Sequence, residues 1–233
     1  MKVSIALIAT KKYKAFVQPL IDSICKYFLL RHPIEISLFS DELEIEYVGN
    51  ERVSIVKELI PSYGFPEATL YRFAIITSKE YQCDYLYYID VDALIVGDVD
   101  ESIFGDIVAV RHPGFDRMGG GSWETNKKSN AYTYEENRLS YWAGGFNGGA
   151  YERFYRLMKR MKRDIQDDEQ NGVMPVWHDE SVFNFYLSEM KSFKELSSAY
   201  CMPEPMHLRK AWKIDDIEPK ILMLDKDHKS IRE

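Results

Sequence analysis

The segment Tyr85-Leu86-Tyr87-Tyr88-Ile89 is an unbroken apolar run that stops on Asp90-Val91-Asp92. Such a run without polar alternation fits a strand covered on both faces, the habit of parallel sheets flanked by crossover helices. Open sheets of this kind bind ligands outside the carboxyl ends of their strands. Residues i and i+2 of an extended segment point the same way, so Asp90 and Asp92 converge on one spot. Two hard oxygen donors at an open strand end suit Mg²⁺ or Mn²⁺ held jointly with a diphosphate. A second Asp-Val-Asp, at Asp98-Val99-Asp100, follows only Leu94-Ile95-Val96-Gly97 and reads as a solvated turn.

The rest of the pattern agrees with an α/β fold. Residues 3–9 read as a buried first strand, and 14–30 carry Phe16, Val17, Leu20, Ile21, Ile24, Tyr27 and Phe28 at helical spacing. Ile34, Ile36 and Leu38 alternate as a second strand, 51–57 as a third, and 61–66 form a Pro/Gly-rich loop. A helix is predicted across 67–80, a basic amphipathic helix across 150–163 and a further helix across 180–191. Strands alternating with helices indicate a largely parallel sheet. Residues 114–140, with Gly119-Gly120-Gly121 at their centre, are long and aperiodic enough to predict a functional loop or lid. No repeat or linker interrupts the 233 residues, so one domain spans 1–233, with a charged, mobile tail from Asp225.

Charge and composition narrow the function. A net charge of −7 argues against a nucleic-acid reader, which needs a basic face for phosphates. The apolar stretch Met1–Thr10 falls short of the ~20 residues that span a bilayer and meets Lys11-Lys12 without a cleavage signature. Three isolated cysteines, Cys25, Cys83 and Cys201, read as reduced thiols in a cytoplasmic protein.

Three further constellations carry chemistry. Trp177-His178-Asp179-Glu180 places three polar groups after an aromatic, which suits a sugar site as well as the acidic start of a helix. Tyr141-Trp142-Ala143-Gly144-Gly145-Phe146-Asn147-Gly148-Gly149 either lets backbone approach a ligand or marks a β-bulge. His112-Pro113-Gly114-Phe115 puts an imidazole after the apolar run 107–110, where a structural role is the ordinary one.

Taken in order, Tyr85-Leu-x-x-x-Asp-Val-Asp92, His112-Pro-Gly-Phe115, Tyr132-Thr-Tyr-Glu135, Gly144-Gly-Phe-x-Gly-Gly149 and Trp177-His-Asp-Glu-Ser181 resemble glycosyltransferase family 6. The resemblance runs from Lys11 to Arg232. It implies a GT-A fold, with a mixed, mostly parallel sheet flanked by helices. It also implies retaining transfer of galactose or N-acetylgalactosamine from a UDP-sugar to a galactose-containing glycan. By the same resemblance, Asp90 and Asp92 hold Mn²⁺ and UDP, with Val91 near the ribose and Ala9, Thr10 and Tyr13 along the uridine. Arg72, Gly144, His178 and Asp179 belong to the donor sugar and diphosphate. Lys226, His228 and Arg232 close over the diphosphate. Ala143 and Gly145 match the positions that separate the two donors, and small residues at both favour UDP-N-acetylgalactosamine. His112, Thr133 and Trp177 resemble acceptor contacts, and Glu180 the carboxylate that acts as nucleophile or positions the acceptor.

The sequence departs from the family's animal members in four ways. No membrane anchor is expected, Phe65 replaces a Trp, Glu136-Asn137 replace Arg-Arg, and Met202-Pro203 replace an acceptor-binding Trp-Asp. Many bacterial members have Asn-x-Asn where this chain keeps both carboxylates, so metal dependence is expected. The alternatives are the same reaction with UDP-galactose, a non-catalytic galactoside-binding protein, and a glycoside hydrolase. Among the aromatic residues, Tyr85, Tyr87 and Tyr88 are assigned to the core, and Tyr13, Tyr141, Trp142 and Trp177 to the walls of the nucleotide-sugar site.

Overall fold

A computed structural model of the chain describes residues 1–227 and 231. The strand β1 (Val3–Ala9) is buried at every position. The helix that follows, α1 (Val17–Tyr27), begins later than its periodicity suggests, because residues 11–16 form a 3₁₀ turn. Pro19 sets that boundary: it is tolerated in the first turn of a helix starting at Val17 but would clash inside one starting at residue 14. Next come β2 (Ile34–Ser40) and β3 (Val53–Leu59). The latter starts after residue 51 because the Asn50 side chain accepts from the Arg52 and Val53 N–H groups and makes that stretch a turn.

The helix expected over 67–80 is instead two short ones, α2 (Glu67–Leu70) and α3 (Arg72–Ile76). Tyr71 marks the break, its hydroxyl donating to Glu169 at 2.5 Å and its ring lying edge-on to Tyr63. Beyond Ile76 the hydroxyls of Thr77 and Ser78 donate back to the carbonyls of Phe73 and Ile75 and end the helix. The predicted buried strand is β4 (Tyr85–Ile89), followed by β5 (Ala93–Ile95). Asp98–Asp100 are not the solvated turn expected: both carboxylates are exposed, but Val99 is buried in a parallel bridge with Phe28, and the Asp100 carboxylate caps the next turn through the Ser102 N–H.

The second half contains β6 (Val108–Arg111), α4 (Pro113–Asp116), β7 (Trp142–Ala150), α5 (Tyr151–Gln170) and α6 (His178–Glu189). Then come β8 (Lys194–Leu196), β9 (Met202–Pro203), α7 (Met206–Ala211) and β10 (Ile221–Met223). The helix α5 outruns its expected end at 163 because Ile165 and Asp168 continue its buried face. The long connection 117–141 is irregular yet anchored, since buried Asp168 accepts from the Ser129 hydroxyl and the Asn130 N–H.

Seven strands pair in the order β3-β2-β1-β4-β7-β6-β8, and β5-β10-β9 make a small second sheet. The pairs from β3 to β4, and β6 with β8, are parallel. Only β7 runs against both its neighbours. This is a mixed, mostly parallel sheet flanked by helices, in keeping with a GT-A-type glycosyltransferase fold. One core lies on the α1 side and includes Leu20, Ile24, Phe28 and Tyr87. The other lies under α3, α5 and α6 and includes Phe73, Phe154, Met158 and Phe183.

Of the two readings of the glycine-rich strand, the structure bears out the bulge. A register shift sits between Ala109 and Val110 opposite β7, which is the bulge. The glycines also admit close neighbours, and at Gly148 a Cβ would fall 2.3 Å from the Tyr87 ring and 2.6 Å from the Leu86 carbonyl oxygen. Gly148→Ala should therefore destabilise the fold by about 1–3 kcal/mol, the range for overpacking. Thermal denaturation should show a melting temperature lower by several degrees.

Candidate functional site at the strand ends

The strand ladder between β4 and β7 continues one residue past β4, where the Asp90 N–H donates to the Gly145 carbonyl at 2.8 Å. That bond fixes Asp90 at the rim. Its Oδ1 accepts from the Tyr88 hydroxyl at 2.6 Å and from Arg72 Nη2 at 3.0 Å. Arg72 is 5% exposed. Its other nitrogen, Nη1, donates to the Gly144 carbonyl at 2.8 Å and to Asp179 Oδ2 at 2.7 Å, while the guanidinium lies over the Tyr88 ring at 4.1 Å. One side chain thus joins the end of β4, the start of β7 and the first turn of α6.

The start of α6 aims two carboxylates inward. His178 has a positive φ of 52°, and Asp179 and Glu180 follow in the first turn. Glu180 Oε2 accepts from the Gly144 N–H at 2.7 Å. A Cβ at Gly144 would lie 3.2 Å from both Arg72 and Glu180, so glycine is what lets both groups reach the backbone. Asp92, 6% exposed, is ion-paired with Lys226, whose ammonium lies over the Tyr13 ring at 5.3 Å.

Burial sets the electrostatics. It pushes Glu180 up to about 7, against the stabilising Gly144 N–H and the neighbouring Tyr141 hydroxyl. Burial likewise raises Asp179 despite the pull of Arg72. For Arg72, burial acts to lower the pKa, but Asp179 and Asp90 outweigh it and hold the guanidinium above its ordinary value. Among the described residues, Asp90 and Asp179 ion-pair with Arg72 and Asp92 with Lys226, so carboxyl groups outnumber paired cations at this strand end. That excess, with two carboxylates at an open strand end, fits a divalent cation. No group of three or more His, Cys, Asp or Glu is poised around a metal among the described residues. Two carboxylates completed by substrate phosphates are the usual arrangement for Mg²⁺-like ions.

Two clefts meet at this charge cluster. The first is bordered by Thr10, Tyr13, Phe65, Arg72, Asp90 and Val91, and the second by His112, Ala143, Gly145, Glu180, Cys201 and Trp212. Asp90, Asp92 and Lys226 border both. His178 stands edge-on to Phe65 at 5.3 Å, on the rim of the first, and Trp177 is half-exposed. Gly145 lies where a Cβ would come within 3.0 Å of Asp90 and 3.2 Å of Met223, so the free space beside it is narrow.

Some expected residues lie elsewhere. The Ala9 side chain packs into the core on the α1 side, because its neighbour Thr10 faces the cleft. Thr133 is fully buried, its hydroxyl donating to the Ala131 carbonyl, and it borders neither cleft. Trp142 points to the opposite face of β7 from Ala143, edge-on to Phe193 with its indole N–H on Glu195, so it is a packing residue. His228 and Arg232 lie outside the described residues.

Other site residues went unread. Tyr88 is a core residue as expected, and because it shares a strand face with Asp90 its hydroxyl also reaches that carboxylate, a role the i, i+2 relation signals. Glu124 is a buried acid that accepts from the N–H groups of Asn126 and Val176 and so ties the long loop to the segment before Trp177. A lone Glu in an aperiodic loop carries no sequence signal. Pro203 and Trp212 border the second cleft, where Met202-Pro203 had indicated only that the acceptor wall differs.

The layout, with a carboxylate-rimmed cleft at strand ends opening onto a second cleft, is that of a ligand-binding site in an α/β protein. The glycosyltransferase family 6 model matches residues 1–233, and the chain belongs to that family of glycosyltransferases. The chain is 26% identical over 240 residues to histo-blood group ABO system transferase 1 of Rattus norvegicus, covering 99% of itself and 68% of that protein. It is 27% identical over 240 residues to the O-antigen biosynthesis glycosyltransferase WbnI of Escherichia coli, covering 97% of it. It is 25% identical over 217 residues to globoside alpha-1,3-N-acetylgalactosaminyltransferase 1 of Mus musculus, covering 62% of it. These relatives imply a nucleotide-sugar donor and a glycan acceptor. No helix among the described residues is long and apolar enough to cross a membrane.

Removing the central cation should be costly. Arg72→Gln leaves Asp179 buried without its cation, and part-exposed Asp90 with only the Tyr88 hydroxyl, and should destabilise the protein by about 3 kcal/mol, measurable by chemical denaturation. His112 is driven down to about 4 by burial, its Nδ1 accepting from the Gly114 N–H. The unfolded chain takes up a proton there near pH 6.5, so this site's contribution to stability is present above that pH. It is lost as pH falls from about 6.5 to about 4. NMR titration should show the His112 imidazole neutral down to about pH 5.

Proposed function

We propose that the chain transfers N-acetylgalactosamine from UDP-N-acetylgalactosamine to the 3-hydroxyl of a galactoside with retention of the α configuration, in a metal-dependent reaction. The observation that carries this reading is that Asp90 and Asp92 border both clefts while Glu180 joins them in lining the second. The donor and linkage are suggested by relatives named alpha-1,3-N-acetylgalactosaminyltransferases. Three free thiols suit a cytoplasmic setting.

In this reading Tyr13 and Thr10 flank the uridine, Val91 supports the ribose, and Asp90 and Asp92 face the diphosphate. A divalent ion held there, Mn²⁺ by the family resemblance, supplies Lewis-acid stabilisation to the departing diphosphate. Lys226 adds a cation on the same side, an electrostatic contribution that grows as the phosphate gains charge. The unpartnered Oδ1 of Asp179, buried beside Arg72, is placed to accept from a sugar hydroxyl. Glu180 points toward the second cleft, where His112 and Trp212 wall the acceptor side. Held by the Gly144 N–H, its carboxylate either attacks the sugar as nucleophile or orients the incoming hydroxyl.

The test is turnover of UDP-N-acetylgalactosamine and UDP-galactose against a panel of galactosides, with and without Mn²⁺. Faster N-acetylgalactosamine transfer, lost on chelation and restored by Mn²⁺, is expected. A preference for galactose would shift the donor assignment, and activity surviving full chelation would remove the metal. Glu180→Gln should lower kcat by about 100-fold or more while leaving UDP affinity intact.

A further inference from the structure

The helix α5 carries six cations, Arg153, Arg156, Lys159, Arg160, Lys162 and Arg163, with no acid between Glu152 and Asp164. Its inner face is committed to the core through residues such as Phe154, Met158, Met161 and Ile165. Five of the six cations are exposed, and Lys162 is partly so. At ~1.5 Å per residue the row runs about 15 Å along the flank of the molecule.

Nothing within the fold accounts for this charge. Cations favour the C-terminal end of a helix, yet none stands in the last turn of α5, which is acidic instead. The acids there have partners: Asp164 accepts from Tyr186, Asp168 from Ser129 and Asn130, and Glu169 from Tyr71. The cations do not. Arg153 has a 3.7 Å contact with exposed Asp106 and Lys159 lies over the Tyr155 ring. Arg156, Arg160, Lys162 and Arg163 close no ion pair among the described residues. The row borders neither cleft, so it does not serve the nucleotide diphosphate either.

We infer that the outer face of α5 docks the protein on an anionic lipid bilayer. Arg153, Arg156, Arg160 and Arg163, spaced three and four residues apart, share one exposed face of the helix, which matches a plane of phosphate headgroups. The chain as a whole carries −7, and its remainder is more acidic still, so a plane touching only this flank is favoured over a flexible polyanion that would wrap onto the rest. No large apolar residue is exposed along α5, so the contact is adsorption rather than insertion and is sensitive to salt. The inference is independent of which sugar is transferred.

Cosedimentation with vesicles tests it directly. The intact chain should pellet with phosphatidylcholine vesicles containing about 30% phosphatidylglycerol, stay in solution with pure phosphatidylcholine, and be released at about 0.5 M NaCl. The variant R156Q/K159Q/R160Q/R163Q should lose at least about tenfold in partitioning with an unchanged melting temperature. A companion variant with lysine at the three arginines should retain binding and shows that charge, not side-chain shape, is read. No pelleting of the intact chain with anionic vesicles, or equal pelleting of the glutamine variant, overturns the proposal. So does retention on a single-stranded oligonucleotide at the same salt without vesicle binding, which would assign the row to nucleic acid.

Discussion

A guanidinium withdrawn from water and shared among three carbonyl or carboxylate groups is the constraint on which the catalytic end of this protein rests. Arg72 opens α3 directly after the break at Tyr71 that divides the helix expected over 67–80, and from there it reaches the rim where β4 and β7 end their ladder. Its partners come from three separate elements: Asp90 after β4, Gly144 in β7 and Asp179 in α6. Without that shared cation, four carboxylates would crowd one strand end in a low-dielectric setting, a situation that proteins resolve by protonation or by ion binding. The raised pKa of Glu180 shows how close the site already is to that limit.

The parts legible in the sequence were those whose signal is periodic or contiguous. The buried run before Asp90 identified β4 and its strand end. Asp90 and Asp92 border the same clefts, but across a turn closed by the Ala93 N–H on the Asp90 carbonyl rather than along the extended segment expected. The exposure of the Asp98 and Asp100 carboxylates was readable because no buried run precedes them. Element ends were less accessible. Pro19, Asn50 and Tyr71 each moved a boundary through a local conflict that apolar spacing does not register. Single residues without a periodic context were the hardest: Glu124 works through two backbone N–H groups supplied by distant loops. Thr133 illustrates the reverse case, a residue in a family-like motif whose hydroxyl is spent on a nearby carbonyl.

The long connection between α4 and β7 also shows why aperiodic sequence is not the same as loose structure. Buried Asp168 and Glu124 replace the hydrogen bonding that regular elements would have provided, meeting backbone donors that would otherwise be unpaired. The segment is thereby coupled to the helix bearing the basic row at one anchor and to the entrance of α6 at the other.

The reversed direction of β7 has a consequence for how such a site can diversify. Because it opposes β4, its first residues rather than its last lie beside Asp90, and successive side chains fall on opposite faces. Ala143 looks onto the second cleft, whereas a Cβ at Gly144 would press on Arg72 and Glu180. Adjacent codons therefore carry unequal tolerance. One specifies a wall that can be recontoured, the next a position where any side chain must shift two charged groups. Selection on substrate choice can act on the first without disturbing the charge balance secured by the second.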